Sequence, residues 1–296
     1  MKILVTGGSG LLGQYLNISL SIKNEILTLY HSNAGNCTRH NFVRGNIIDE
    51  KFTRGVFESF QPQIVIHTAA ITNPILNGQY NLEDYERVNV TATELIAQQC
   101  ENFKSKLIYT STDLVYSGNE ESMLKEDALL RPISVYAETK LKGETKIKET
   151  FDNYLILRTA LLFGFGLNHS RSFFDKMFDS LSQNIPINLF IDQFRTPLSL
   201  IEAARMISEI IELDIKSETI NFAGLNRISR YELGELLCEA AGYNKNLLNK
   251  ISMKEIPDYP QVKDVSLNTD KLQSFGIKSK SIEESLMEII SERRNS

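Results

Sequence analysis

The run KILVTGGSGLLGQYL at residues 2–16 constrains this chain more than any other stretch. A short apolar, β-branched segment breaks on glycine and resumes with helical spacing. Gly8, Gly10 and Gly13 satisfy G-x-G-x-x-G, and Gly7, Gly10 and Gly13 satisfy G-x-x-G-x-x-G. Glycine permits the tight turn, lets backbone N–H groups approach a phosphate closely, and lets the helix lie against the strand. The start of the helix then offers orphan N–H groups and a positive dipole end to an anion. A glycine-rich turn without a ligand can show the same spacing. The strand before it and the helix after it favour a dinucleotide site.

Further apolar runs follow at 25–30 (EILTLY), 63–68 (QIVIHT), 106–110 (KLIYT) and 154–159 (YLILRT), with helical patterns between them. In the pattern at 83–101, Val88, Leu95 and Ile96 are expected to face inward. Strands alternating with helices predict βαβ units, and near-continuous apolar strands predict a sheet covered on both faces. The expected fold is α/β: a Rossmann-type doubly wound parallel sheet over residues 1–160, with a smaller α/β lobe at 161–296 and some chain crossing between them. In that second half, 171–183, 199–212 and 229–242 read as helices and INLF at 187–190 as a strand. Serine caps open the last two helices, and glycine closes the second of these.

Composition narrows the partners. A formal net charge of −5 gives no basic excess for a phosphate backbone, so nucleic acid is not expected. Cys37, Cys100 and Cys238 are odd in number and far apart, which argues against a disulfide framework or a thiolate zinc site. The four histidines form no metal-ligand pair at helical spacing. The first residues lack the apolar stretch of a signal peptide or membrane span, so the expected protein is cytoplasmic, without a metal and without a membrane partner. A homodimer is left open.

Two local features bear on chemistry. An NAD site usually places Asp or Glu at the end of the second strand, yet no carboxylate lies between Thr28 and Asn36. His31, Ser32 and Arg39 would tolerate a ribose 2′-phosphate, which favours NADP and keeps NAD open. Further on, SVYAETKLKGE (134–144) holds Tyr136 and Lys140 about one helical turn apart. Spacing alone does not separate a tuned phenol from a surface pair, since Tyr259 and Lys263 repeat it around Pro260.

Taken together, the glycine loop, VRGNIID (43–49), VIHTAA (65–70), VNVTATELI (88–96), YTSTDLVYSG (109–118), Tyr136/Lys140 and LRTALLFG (157–164) resemble the extended short-chain dehydrogenase/reductase family over nearly the whole chain. The resemblance implies cofactor contacts from Gly7, Gly10, Leu11, Leu12, Gly13, His31, Ser32, Asn46, Ile47, Ala69, Ala70, Tyr136 and Lys140. It also implies that Thr112 holds a substrate carbonyl, that Tyr136 is the acid/base and that Lys140 lowers its pKa. Charges roughly 6 Å apart at an effective dielectric of about 20 interact by about 3 kcal/mol, enough for that tuning. The family usually has Asp where Asn46 stands, and the amide oxygen of Asn46 can still accept from adenine. His67 is expected to be a packing residue on a core strand.

Within the family, Leu114 stands where nucleotide-sugar 4,6-dehydratases carry the Glu of Thr-Asp-Glu, and leucine cannot move a proton. No Cys lies here as in GDP-fucose synthases, though His169 follows LLFG at a comparable distance. STDLVYSG, SVYAETKLKGE and DQFRTPLSLIEAARMI (192–207) look most like the dTDP-4-dehydrorhamnose reductase group. That resemblance implies reduction of a 4-keto group on a nucleotide-linked deoxysugar, with Asp113 orienting the site. Arg195 either pairs with a substrate diphosphate or satisfies loop carbonyls. The NADP-binding regulatory β subunit of methionine adenosyltransferase and an NAD-holding epimerase are the competing resemblances.

Overall fold

A computed structural model of the chain describes residues 1–73, 78–119, 121–257 and 260–294; Tyr259 and hence its pairing with Lys263 lie outside them. The chain opens with β1 (Lys2–Thr6), α1 (Leu11–Leu20), β2 (Glu25–Tyr30), β3 (Asn41–Arg44), α2 (Glu50–Phe60) and β4 (Ile64–His67). A short helix, α3 (Leu82–Tyr85), runs through a π-helical turn at Glu86–Thr91 into α4 (Ala92–Phe103). Then come β5 (Lys106–Thr112), α5 (Val135–Thr150), β6 (Tyr154–Thr159) and β7 (Leu162–Phe163). The second half supplies α6 (Phe173–Ser182), β8 (Ile187–Phe190), β9 (Phe194–Arg195), β10 (Leu198–Ser199) and α7 (Leu200–Ile210). It ends with β11 (Glu218–Phe222), β12 (Ile228–Ser229), α8 (Arg230–Ala241), β13 (Leu248–Ile251), α9 (Asp270–Ser274) and α10 (Ile282–Arg294).

The main sheet has seven strands in the order β11-β6-β5-β4-β1-β2-β3, all pairings parallel. Strand alternation splits its core in two. Ile3 and Val5 pack under α1 and α7, whereas Leu4 packs with Phe57, Ile96 and Ile147 from α2, α4 and α5. This is the expected doubly wound fold, with β3 and β11 added to the strands legible in the sequence. β3 is edge-placed and mostly exposed, so its residues lack the apolar run that marks the others.

The inward residues of the 83–101 pattern differ in part from expectation. Ile96 is buried, but Val88 and Leu95 are only half-buried, and the buried stripe runs through Asn89, Val90, Ala92, Thr93, Ile96, Ala97 and Cys100. The π-helical turn adds a residue to one turn and rotates what precedes it, so a 3.6 period carried across it misassigns the face.

The lobe expected at 161–296 is less separate than that boundary implies. β11 pairs with β6 from Glu218↔Leu155 to Phe222↔Thr159, and Leu200, Ala203, Ile207, Ile210 and Leu272 belong to the first core. What remains includes a satellite core of Phe163, Phe174, Leu189, Leu237 and Leu286 on β7, α6, β8, α8 and α10. The serine caps are present: Ser199 and Ser229 accept from Glu202 and Glu232 N–H, each at 3.1 Å, and α8 ends on Gly242. Among the described residues no helix is long and apolar enough to cross a membrane, and no cluster of three or more His, Cys, Asp or Glu is placed to hold a metal ion.

Candidate active site

Strand order reverses between β1 and β4, and ligands of such sheets bind at that switch point, beyond the strand ends. A cleft of about 1270 Å³ opens there. It is lined by Gly7, Gly10, Leu11, Leu12 and Gly13 from the first turn, His31 and Ser32 after β2, Asn46 and Ile47 after β3, and Ala69 and Ala70 after β4. Thr112, Asp113, Tyr136, Lys140 and Arg195 line its other end. Every residue expected at the site therefore faces one cavity, apart from Arg39.

The glycine turn fits a dinucleotide pyrophosphate. Gly7 has φ +68°, and a Cβ there would stand 2.7 Å from Ala69 N, so only glycine lets β1 and β4 close on each other. Gly10 precedes α1 without a side-chain cap, and the first turn holds no acidic residue. The helix start thus presents its N–H groups and dipole to the cleft without a competing carboxylate.

At the adenosine end, His31 and Ser32 are exposed and bonded to each other, Ser32 Oγ to His31 Nδ1 at 3.0 Å. Arg39 is the correction: it turns away into a shallow concavity beside Ser21, Asn24 and Thr38. The basic residue that reaches this end is Arg44, whose Nε donates to His31 O at 3.2 Å across the Tyr30↔Arg44 register. Asn46, which lines the cleft, accepts from Ile48 N–H at 3.2 Å through Oδ1.

At the other end, Thr112 closes β5 and Ser134 caps α5 by accepting from Ala137 N–H at 3.2 Å, which fixes the start of the helix carrying Tyr136 and Lys140. Thr112 Oγ1 donates to Asp113 Oδ1 at 3.1 Å. The Thr112 hydroxyl also stands within hydrogen-bonding reach of the Tyr136 phenol. Burial pushes the Tyr136 pKa up, the Thr112 bond lowers it, and the Asp113 carboxylate raises it. The expected lowering by Lys140 is absent. Lys140 directs its ammonium onto the ring of Tyr109, 3.9 Å from the centroid. Burial pulls Lys140 down to about 7, with Glu144 opposing.

Arg195 is 5 % exposed and donates to Phe194 O at 2.6 Å and to Val262 O at 3.3 and 3.4 Å; its Nε lies 3.7 Å from Asp113 Oδ2. That is the carbonyl-satisfying arrangement, set in the cleft wall rather than extended into it. Asp113 is raised by its burial, with Arg195 the main opposing influence, and among the described residues Oδ2 has no hydrogen-bond partner. His67 is enclosed, as expected of a packing residue. Thr93 Oγ1 donates to Asn89 O, so His67 Nε2 donates to Thr93, and Thr6 donates to Nδ1 at 2.6 Å. His169 lines the cleft from an exposed loop.

Three supporting groups escaped the sequence reading. Glu144, one turn beyond Lys140, takes Ser111 Oγ at 2.5 Å and a bidentate Arg158. Arg158 continues to Tyr116 OH at 2.9 Å, which donates to Asn221 on β11. Asn89, on the π-helical turn, brackets Ile71 at 2.8 and 3.0 Å and donates to Thr139 at 3.0 Å, tying the end of β4 to α5. Gln14, fully buried on α1, donates to Ser9 O, Leu167 O and Ser170 Oγ and accepts from Asn36 N–H and Asn168. A buried amide at G-x-x-G-Q is visible in sequence, but Leu167, Asn168 and Ser170 reach it from a loop more than 150 residues away.

A parallel sheet reversing at a glycine-rich turn, with Tyr, Lys and Thr converging beyond β5, defines an extended short-chain dehydrogenase/reductase-type Rossmann protein. The family model described as RmlD substrate binding domain matches residues 1–295, and the chain belongs to that family. Methionine adenosyltransferase 2 subunit beta of Xenopus laevis is 26% identical over 283 residues, covering 93% of this chain and 83% of that protein. The dTDP-4-dehydrorhamnose reductase of Aggregatibacter actinomycetemcomitans is 25% identical over 291 residues, covering 93% and 94%. Among solved structures, dTDP-4-dehydrorhamnose reductase from Bacillus anthracis in complex with NADP superposes with a TM-score of 0.83 at 22% identity, covering 98% of each chain. UDP-glucose 4-epimerase from Thermotoga maritima gives 0.86 at 20%, covering 100% and 99%.

Proposed function

We propose that the protein is an NAD(P)H-dependent reductase of the 4-keto group of a nucleotide-linked deoxysugar. The observation that carries this reading is that Thr112, Tyr136 and Lys140 line the same cleft as the glycine turn. A nicotinamide cofactor, when bound, would supply the hydride for the ketone carbon. Gly7, Gly10 and the start of α1 would hold its pyrophosphate, and Lys140 would face its ribose. Tyr136 stays protonated through neutral pH because burial favours the neutral phenol, so it gives its proton to the ketone oxygen. Thr112 stands beside the phenol to hold the ketone oxygen. The missing acid at the end of β2 and Arg44 at His31 O favour NADPH over NADH.

Purified protein should oxidise NADPH only when a 4-keto nucleotide sugar is added. Tyr136→Phe should lower kcat by about 100-fold or more while NADPH still binds; a near-normal rate would remove Tyr136 as the acid. A second reading has its own support in the subunit beta relatives, which match over 93% of the chain. Under that reading the protein binds the dinucleotide and serves a methionine adenosyltransferase as a regulatory partner. Failure to turn over any ketosugar, with a methionine adenosyltransferase co-purifying, would decide for it.

A further inference from the structure

Lys140 poses an electrostatic problem. Its side chain is 2 % exposed, and a buried ammonium without a partner is among the most costly groups in a protein interior. The charged and titratable groups around it do not supply a net negative charge. Glu144, on the same helix, is neutralised by Arg158 from β6, whose Nη2 lies 2.9 Å away. His67, on β4, is held neutral between Thr6 and Thr93, with its pKa pulled down to about 3 by burial and then by Lys140. Tyr136, on the same helix, keeps its proton.

What the ammonium does meet is the face of Tyr109, 3.9 Å from the ring centroid and well inside cation–π range. That ring is fully buried on β5 and locked on several sides. His67 stacks at 5.6 Å with an interplanar angle of 32°. The phenol oxygen stands 3.5 Å from Lys140 O. Gly143, three residues after Lys140, makes room for it: a Cβ there would come 2.6 Å from the Tyr109 oxygen.

We propose that Tyr109 is a positioning residue whose ring face seats the Lys140 ammonium, keeping it charged at the Tyr136 end of the cleft. The catalytic consequence rests on the reductase reading above, but the seat is a property of the protein alone. Its electrostatic signature is specific. A ring quadrupole weakens as fluorine replaces hydrogen, while ring size barely changes. A merely space-filling ring is indifferent to that change.

The test replaces Tyr109 first with Phe and then with phenylalanines carrying one, two and three ring fluorines. Lys140 is titrated through the isotope-labelled ε-carbon resonance of its side chain, assigned by its loss in Lys140→Met. Tyr109→Phe should leave the protonation constant within about twofold, since the ring face survives. The fluorinated series should then lower it stepwise, by about tenfold in all. A constant that stays flat across the series would overturn the proposal. So would a drop on Tyr109→Phe as large as that of the trifluorinated ring, since the hydroxyl and not the face would then hold the lysine. Turnover takes no part in this readout, so a protein that reduces no ketosugar would sink the proposed function and leave this one standing.

Discussion

Tyr136 and Lys140 are one turn apart, yet they answer to different neighbours. The spacing was legible in the sequence because α5 is a regular helix with a serine cap. Their electrostatics were not, because the groups that decide it, Thr112, Asp113 and Tyr109, come from β5 and its following turn. His67 gives the clearest pH consequence at this scale. Its folded pKa, about 3, lies below the ordinary value of 6.5. Between those values the unfolded chain binds a proton that the folded one refuses. The resulting stability is fully present above pH 6.5 and is lost as pH falls toward 3, by up to about 1.4 kcal/mol per pH unit. Urea midpoints of wild type and His67→Asn at pH 7, 6 and 5 should therefore converge with acid, the wild type losing about one proton's worth of slope more. Parallel curves would show that His67 protonates without cost.

At the scale of elements, two helical glycines separate packing from propensity. Gly143 on α5 is buried, and a Cβ would meet Tyr109 and, at 2.9 Å, Asn89 O. Gly143→Ala should destabilise the protein by about 1–3 kcal/mol, since neither a core ring nor a backbone carbonyl can yield cheaply. Activity should fall with it, because α5 carries the site. Gly55 on α2 is exposed, and among the described residues a Cβ there would meet nothing within 4 Å. Gly55→Ala should stabilise by roughly 0.5–1 kcal/mol through helix propensity and a less flexible unfolded chain. Opposite shifts in denaturant midpoint would check both; equal shifts would mean that the close approach of α5 to β5 is overstated. Sequence alone treats these glycines alike, since each interrupts a helical pattern. The same blindness hid the π-helical turn at Glu86–Thr91, whose Asn89 earns its place through Ile71 and Thr139 rather than through any local rule.

At the scale of the molecule, the rhythm of the sequence changes near residue 160, where the connection after β6 leads into the satellite core. That change does not mark where one folding unit ends. The strand that finishes the sheet and the helix that covers α1 are encoded 40 and more residues later, and only spatial pairing reveals that they return. Leu200, Met206, Ile207, Ile210, Ile220 and Phe222 are all fully buried in the first core. At roughly 1.5–3 kcal/mol for each large apolar side chain, their removal forfeits about 10 kcal/mol or more of gross burial, comparable with the whole net stability of a domain. It would also bare the edge of β6 and leave Tyr116 without Asn221, loosening Arg158 behind the site. A fragment of residues 1–160 should therefore lack a cooperative urea transition and bind NADPH at least about 100-fold more weakly than the full chain, although it holds the glycine turn, Thr112, Tyr136 and Lys140. Circular dichroism and cofactor titration of the fragment beside the full chain would decide. A fragment with a sigmoidal transition and near-native cofactor affinity would show that the first 160 residues are a complete unit, and that β11 and α7 are additions to it.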